Sequence, residues 1–179
     1  MQIIFLIQSK EKNGRYGQCL SLIHIYYSYA ENVQDDLQEA DFCLSILNGR
    51  KLDYPVFYDI EDTIHRTMDA DLMADIVEAF CGKMEAAGYR TGVYSSVNIF
   101  NSNLSSPRLD KYDRWVASWG KDVPNFNKAY TIWQYTYGTL SGVNRNVDLN
   151  YSFKDYCQAG TLTPSAPVQD WMAIFLSPI

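Results

Sequence analysis

The stretch YPVFYDIEDT, Tyr54–Thr63, combines a run typical of a buried strand with two acids at its end. Apolar and aromatic residues before the acids predict β-structure. Because side chains alternate along a strand, Phe57, Asp59 and Glu61 share one face and Ile60 lies on the other. Both carboxylates therefore point the same way at the carboxyl end of the strand. Burial of charge is unfavourable, so this placement requires an explanation.

The sequence around this strand alternates between strand and helix patterns. LIHIYYSY, residues 22–29, predicts a strand because it is rich in β-branched and aromatic residues. Residues 30–49 and 69–88 predict amphipathic helices that end at Gly49 and Gly88. In the first helix the apolar positions at three- and four-residue steps are Val33, Leu37, Ala40, Leu44 and Leu47.

The second half of the chain predicts further strands with fewer helices. The expected strands are RTGVYSS (90–96), DRWVASW (113–119), AYTIWQYT (129–136) and VNRNVDLNYSF (143–153), and NIFNSNL (98–104) is a short helical or irregular crossover. Repeated units whose strands are apolar on both faces predict a parallel α/β sheet covered by helices, either doubly wound or closed as a barrel. No glycine-rich phosphate loop follows a strand, so nothing favours nucleotide binding.

Length, charge and cysteine content restrict the class of protein. A chain of 179 residues is of single-domain size. Its net charge of −6 argues against a nucleic-acid partner. The four cysteines form no C-x-x-C pair, which predicts reduced, buried thiols rather than a zinc or redox site. These cysteines are Cys19, Cys43, Cys81 and Cys157.

The first residues, MQIIFLIQSKEKN, carry no readable export signal. The apolar run lacks a basic segment before it and is too short for a signal peptide or a membrane span. We therefore expect no membrane association and a cytoplasmic location at synthesis.

Asp59 and Glu61 are the first candidates for chemistry. Active sites of α/β sheets and barrels form at the carboxyl ends of their strands. Two close carboxyls push their pKa values apart, so that one holds a proton while the other is ionised, as glycoside hydrolysis requires. Two alternatives are a solvated turn cap and a divalent-metal site. No further acid cluster nearby favours the metal site.

Aromatic residues near strand ends are candidates for stacking on sugar rings. They are Tyr94, Trp119, Trp133 and Tyr135, and each alone is equally typical of a core. Asp148 adds an acid to the last strand, with a turn or cap as its alternative role. No serine or cysteine lies in a nucleophile-elbow sequence, so His24 and His65 are interpreted as structural.

Five motifs in series carry a resemblance to a known family. YPVFYDIED, TGVYSS, RWVASWG, YTIWQYT and GVNRNVDLNYS, in this order, resemble glycoside hydrolase family 25, the Chalaropsis-type lysozymes that cleave the muramic acid linkage of peptidoglycan. The resemblance implies an irregular TIM-like β/α barrel with a helix-poor second half. It also implies that Glu61 is the general acid and that Asp59 either attacks the anomeric carbon or orients the substrate's N-acetyl group, with net retention.

The same resemblance implies a substrate groove and no metal or organic cofactor. Tyr94, Trp133 and Tyr27 would line the groove, together with Asp148 at the last strand. The implied partner is the glycan strand of bacterial peptidoglycan, reached at the cell wall or outside the cell.

The chain departs from the family at its start. Family members open with a strand carrying an Asp-x-Ser motif, whereas no Asp precedes Asp35 here. We therefore expect an atypical segment at 1–21, a catalytic domain at 22–157 that is incomplete at its N-terminus, and a tail outside the core at 158–179. Missing strands leave exposed edges, which predicts a substituted N-terminal element, a dimer that shares edges, or a poorly stable fragment.

Two other functions remain open on the sequence. One is a catalytically impaired relative, or a truncated gene product, that binds wall glycan. The other is a β/α-barrel hydrolase that acts on a different sugar polymer.

Overall fold

The strands of the computed structural model form one closed barrel, in the order β1 to β8. It describes residues 2–12, 15–120, 122–139, 146–154, 156 and 170–175, and gives only the backbone for 2–12, 15–24 and 170–175. The strands are β1 (Gln2–Lys12), β2 (Arg15–Tyr27), β3 (Val56–Asp59), β4 (Thr91–Ser96), β5 (Asp113–Ala117), β6 (Ile132–Thr139), β7 (Asn146–Ser152) and β8 (Asp170–Phe175). The helices are α1 (Val33–Leu47), α2 (Ala70–Ala86) and α3 (Val97–Asn101), with 3₁₀ turns at Thr63–Thr67 and Pro107–Lys111.

The barrel has a parallel part and an antiparallel part. Strands β2 to β6 pair in parallel, and α1, α2 and α3 connect the first four of them. The pairs β6/β7, β7/β8, β8/β1 and β1/β2 are antiparallel. Within the described ranges no α-helix follows α3. The predicted irregular β/α barrel with a helix-poor second half is therefore confirmed.

Local signals at their ends fix the two long helices. Asn32 accepts hydrogen bonds from the backbone N–H groups of the first turn of α1, and Asp69 does the same for α2. The helix α1 stops where Asn48 takes a left-handed φ of 45°. The predicted buried stripe of α1 is partly wrong, because Val33 is exposed and a charged residue, Asp36, is fully buried.

Alternation along β3 separates two hydrophobic layers. Phe57 packs inside the barrel against Trp115, with ring centroids 5.3 Å apart. Tyr58 and Ile60 face the helices instead. Gly92 makes room for the inner layer, since a Cβ there would lie 2.5 Å from a ring carbon of Phe57. The face assignment made from the sequence is thus confirmed.

The ends of the barrel differ from the sequence expectation. An antiparallel strand, β1, pairs with β2 where the family's opening strands are missing, and β8 pairs with both β7 and β1. The prediction of a tail outside the core is wrong for 170–175, while 157–169 and 176–179 lie outside the described residues. Neither predicted edge is left open in the described sheet, so the substituted N-terminal element is the alternative that matches. An oligomer that shares strand edges stays a prediction, and the described sheet offers no free edge for it.

Two further expectations concern cysteines and membranes. Cys43 and Cys81 are free thiols and buried, whereas Cys157 and the side chain of Cys19 lie outside the description. Among the helices that are described, none has the length and apolar content needed to cross a bilayer.

Candidate active site

The end of β3 holds Asp59 and Glu61 through backbone hydrogen bonds to both neighbouring strands. The N–H of Ser28 donates to the carbonyl of Asp59 at 3.1 Å, and the N–H of Ile60 donates to the carbonyl of Tyr94 at 3.0 Å. The positions of the two acids are therefore set by the sheet rather than by a loose loop.

Asp59 is a buried carboxyl with an unsatisfied oxygen. The residue is 6% exposed, and its Oδ1 has no hydrogen-bond partner in the described part of the chain. Burial raises the pKa of Asp59 well above its usual value, and the charge of Glu61 raises it further. The group thus favours its protonated form until a compensating charge or donor arrives.

Glu61 lies in a cluster of acids contributed by two strands. Burial raises the pKa of Glu61, Asp148 raises it further, and Arg66 acts in the opposite direction. Burial also raises the pKa of Asp148 in β7. The structure therefore brings Asp148 to Glu61, and the like charges help Glu61 to retain a proton.

A hydrogen-bonded chain across the barrel supports these acids. The hydroxyl of Tyr94 donates to Oε1 of Gln134 at 2.6 Å, and the Gln134 side chain hydrogen-bonds to Asp148 and partly offsets the rise in its pKa. Burial raises the pKa of Tyr94, and Asp59 contributes next, so the phenol stays protonated. The sequence does not single out Gln134, because its only signal is a polar residue at an inward position of β6.

A cleft of about 410 Å³ opens beside Glu61 and gives the cluster access to a ligand. Trp119 is 65% exposed there, and its ring lies edge-on to Tyr137 at 5.2 Å. Exposed aromatic rings of this kind suit stacking on sugar faces. The cleft is lined by Glu61, Tyr94, Ser96, Val97, Asn98, Ala117, Ser118 and Trp119.

The other two predicted groove residues lie in different surroundings. The hydroxyl of Tyr27 donates to Asp62 at 3.2 Å, and both Glu61 and Asp59 contribute to raising its pKa after burial and Asp62. Tyr27 is thus beside the acids. Trp133, in contrast, donates its Nε1–H to the carbonyl of Ser118 at 2.9 Å and is 8% exposed.

Trp133 is not brought together with the acids. Its ring packs near Tyr135 and Tyr151, at 5.9 and 5.5 Å. Alternation along β6 places it on the face opposite Ile132, whose side chain belongs to the barrel interior. Its role in substrate binding stays a prediction.

The described residues contain no group of three His, Cys, Asp or Glu side chains arranged to hold a metal ion. His65 is fully buried, with its Nε2 3.5 Å from the Ser28 hydroxyl, and burial lowers its pKa. That environment suits the structural role predicted for it. The side chain of His24 lies outside the description.

Comparison with known proteins places this arrangement in a family. Residues 12–143 match the sequence model of glycosyl hydrolases family 25. An autolytic lysozyme of Clostridium acetobutylicum is 26% identical over 138 residues, which are 76% of this chain and 41% of that protein. The chain therefore spans less than half the length of this curated relative.

Solved structures show the same fold. The modular autolysin LytC of Streptococcus pneumoniae, in complex with a synthetic peptidoglycan ligand, is 27% identical with a TM-score of 0.60, and the match covers 69% of this chain and 32% of that one. A family 25 glycosyl hydrolase of Bacillus anthracis has a TM-score of 0.54 at 15% identity, covering 86% of this chain and 62% of that one. The second likeness concerns the fold alone.

Proposed function

Because the chain belongs to glycosyl hydrolases family 25, we propose that it is a lysozyme that hydrolyses bacterial peptidoglycan between N-acetylmuramic acid and N-acetylglucosamine. The observation that carries the proposal is the acid cluster at the end of β3, where Asp59 lies buried behind Glu61 and Glu61 lines an open cleft. The names of two relatives agree with it, since one is an autolytic lysozyme and the other was solved with a peptidoglycan ligand.

Glu61 is the proposed general acid. It lines the cleft and therefore can reach a glycosidic oxygen, whereas Asp59 is 6% exposed. Burial and the charge of Asp148 raise the pKa of Glu61, so it holds its proton at a pH where a solvated glutamate has lost it. Proton transfer to the leaving oxygen breaks the bond to the anomeric carbon.

Asp59 is the proposed partner of Glu61. As a carboxylate it either attacks the anomeric carbon or orients the substrate's N-acetyl group to do so, and both routes give net retention. In the second step Glu61 takes a proton from a water molecule while the water oxygen attacks the anomeric carbon. The bond from that carbon to Asp59, or to the N-acetyl oxygen, breaks, and both carboxyl groups return to their starting state. The positive charge that develops on the sugar favours the ionised form of Asp59.

Substitution of Glu61 tests this function. We expect Glu61→Gln to lower the release of reducing ends from purified cell wall by about 10²-fold or more, because the amide cannot supply the proton. Glu31→Gln, at an exposed residue before α1, is the matched control and should keep full activity. Unchanged lysis by Glu61→Gln in a folded protein would remove the assignment.

Product analysis tests the substrate. We expect new reducing ends on N-acetylmuramic acid and no cleavage of chitin. Chitin turnover at a comparable rate would favour a different sugar polymer.

We further propose that the protein acts at the bacterial cell wall or outside the cell.

One observation favours a second candidate. The acids among the first 34 residues are Glu11 and Glu31, so the opening strands supply no Asp. A protein that binds wall glycan without cleaving it would follow from that loss. Co-sedimentation with purified wall, without release of reducing ends by the wild type, would establish this candidate and exclude the first.

A further inference from the structure

The outer face of β3 carries a second group of titratable side chains, which the proposed reaction does not use. Asp36 of α1, Tyr58 of β3 and Ser28, which follows β2, are fully buried. Glu39 lies one helical turn after Asp36 and reaches the same phenol. We refer to Ser28, Asp36, Glu39 and Tyr58 as the outer clamp.

The hydroxyl of Tyr58 joins the two carboxyls of the outer clamp. It lies within hydrogen-bonding distance of Asp36 Oδ1, and 3.1 Å from Glu39 Oε2. A phenol has one hydrogen, so it can donate to only one of the two carboxyls at a time. Glu39 also accepts from the backbone N–H of Tyr29 at 2.8 Å, so it can stay ionised. A proton on Asp36 lets Asp36 donate to the phenolic oxygen while the phenol donates to Glu39, which satisfies both contacts.

The environment favours Asp36 as the holder of that proton. Its Oδ2 is buried without a hydrogen-bond partner among the described residues, which disfavours a negative charge. The nearby cation, Lys83, donates to Asp41 at 2.6 Å and to the carbonyl of Leu37 at 3.2 Å. Burial is the main factor that raises the pKa of Asp36, from 3.8 to about 7.

The outer clamp is connected to the acid cluster through the backbone. Tyr58 immediately precedes Asp59 in β3, with its side chain on the opposite face. The hydroxyl of Ser28 lies 2.7 Å from the hydroxyl of Tyr58, and the N–H of Ser28 donates to the carbonyl of Asp59. Ser28 and Tyr58 thus join the ends of β2 and β3 beside Asp59, and Asp36 and Glu39 connect Tyr58 to α1.

We propose that Asp36 is a positioning residue for the proposed cleavage: while it is protonated, its hydrogen bond with Tyr58 holds the end of β3 and fixes Asp59 beside Glu61. This inference rests on the proposed function. Loss of the proton leaves two carboxylates competing for one phenol hydrogen, and the repulsion between them loosens the contact between α1 and β3.

Other charged and titratable groups face the outer clamp from each packed element. Lys83 is a cation among them: its charge acts to lower the pKa of Asp36, and its ammonium group is paired with Asp41. His65 is buried, and burial lowers its pKa. These groups are Tyr26 of β2, Asp35 and Cys43 of α1, Cys81 and Lys83 of α2, and His65 of the 3₁₀ turn.

The sign of the pH effect follows from the raised pKa. Between the unfolded value of 3.8 and about 7, the folded state retains a proton that the unfolded state has released. The free energy of unfolding therefore falls as pH rises through this window. The clamp is intact on the acid side and is lost as pH passes about 7.

Asp36→Asn tests the proposal, because an amide keeps a neutral hydrogen-bonding group at every pH. In the wild type, loss of protons from Asp36 and Glu61 should both lower kcat, so log kcat falls with a limiting slope of about −2 at pH values above the pKa of both groups. In Asp36→Asn only Glu61 titrates, and we expect a slope of about −1 with kcat preserved at acid pH. Asp71→Asn, at an exposed residue in the first turn of α2, is the control and should keep the steeper limb.

Two results would overturn the proposal. One is an alkaline limb of equal slope and midpoint in Asp36→Asn and the wild type. The other is a loss of kcat that is the same at every pH, which indicates a structural role alone.

A measurement independent of activity separates this proposal from the proposed function. In ¹³C NMR of aspartate carboxyls, Asp36 should titrate near neutral pH, and the melting temperature of the wild type should fall with rising pH more steeply than that of Asp36→Asn. If the protein cleaves no cell wall but shows both of these effects, the proposed function is refuted, while the protonation of Asp36 in the outer clamp is supported. Titration of Asp36 near its ordinary value refutes the proposal even if the wall is cleaved.

Discussion

The two faces of β3 place pairs of carboxyls in opposite settings. On the inner face Asp59 has an oxygen without a hydrogen-bond partner in the described structure, and Glu61 opens onto a cleft. On the outer face Asp36 and Glu39 of α1 converge on the phenol of Tyr58. Burial raises the pKa of the carboxyls on both faces.

The difference shows that a perturbed pKa does not by itself identify a catalytic group. Burial of like charges arises on both faces, but it is Glu61 of the inner pair that lines an open cleft. The inner pair is distinguished as the candidate site because it combines a carboxyl oxygen without a hydrogen-bond partner with an open cleft. The outer pair instead supports the strand. Substitutions on each face should therefore affect different quantities.

The largest effect is expected on the inner face. Asp59→Asn should lower kcat by about 10²-fold or more, because the charge that assists at the anomeric carbon is removed. The same change should leave the melting temperature equal or higher at neutral pH, since the pKa of Asp59 is raised and its ionisation opposes folding. Steady-state kinetics and thermal melts measure the two effects.

Asp122→Asn, at an exposed residue outside the cluster, is the control for that substitution. If Asp59→Asn unfolds the protein, or retains activity within a few-fold of the wild type, the division between the two faces fails.

The outer face should respond in stability. Tyr58→Phe removes the hydroxyl that both carboxyls use, and leaving buried polar groups without partners costs about 1–3 kcal/mol of unfolding free energy. Urea denaturation measures this loss. Tyr29→Phe, at a residue that is 66% exposed, should change stability by less than about 0.5 kcal/mol. Equal stability of the two variants would contradict the clamp.

A smaller effect is expected at the cleft wall. Trp119→Ala should raise KM for wall fragments by about 10-fold with a smaller change in kcat, because an exposed ring contributes to binding through stacking. Phe42→Ala, at a comparably exposed residue of α1, is the control. Loss of stability instead of affinity in Trp119→Ala would show that the ring is part of the core.

The smallest effect concerns Gln134. Gln134→Met removes the hydrogen bond that lowers the pKa of Asp148, so that pKa rises and Asp148 is neutral over a wider range. A neutral Asp148 no longer raises the pKa of Glu61, and the alkaline limb of kcat should move to lower pH by about half a unit or less. A shift in the opposite direction would show that Asp148 does not act on Glu61.

Local patterns in the sequence were sufficient for the parallel half of the barrel. The period of apolar residues predicts α1 and α2, and alternation in β3 predicts that Asp59 and Phe57 share a face. Such signals act over a few residues and need no knowledge of distant partners. The family resemblance implies that Asp148 lines the substrate groove, but the closeness of Asp148 to Glu61 is seen only in the structure.

Non-local features were beyond the sequence pattern. An apolar stretch does not specify its strand partner, so the sequence predicts a tail at 158–179. Residues 170–175 of that stretch instead form β8, which pairs antiparallel with β1 and β7. Asp36 interrupts the apolar stripe of α1. Its burial is offset by a hydrogen bond from Tyr58, which belongs to another element, β3. Gln134 gains its role in the same way, through Tyr94 of a neighbouring strand.

The pairing of β8 with β1 also bears on the order in which the barrel forms. It joins Phe5 with Phe175, near opposite ends of the described chain. Contacts of such high sequence separation raise the contact order and carry a large loop-closure entropy, so they form late and slow folding. The helix-covered strands β2 to β6 can assemble earlier during synthesis. Closure of the barrel is therefore expected to be the last and rate-limiting step, after the acid cluster's own strand is already in place.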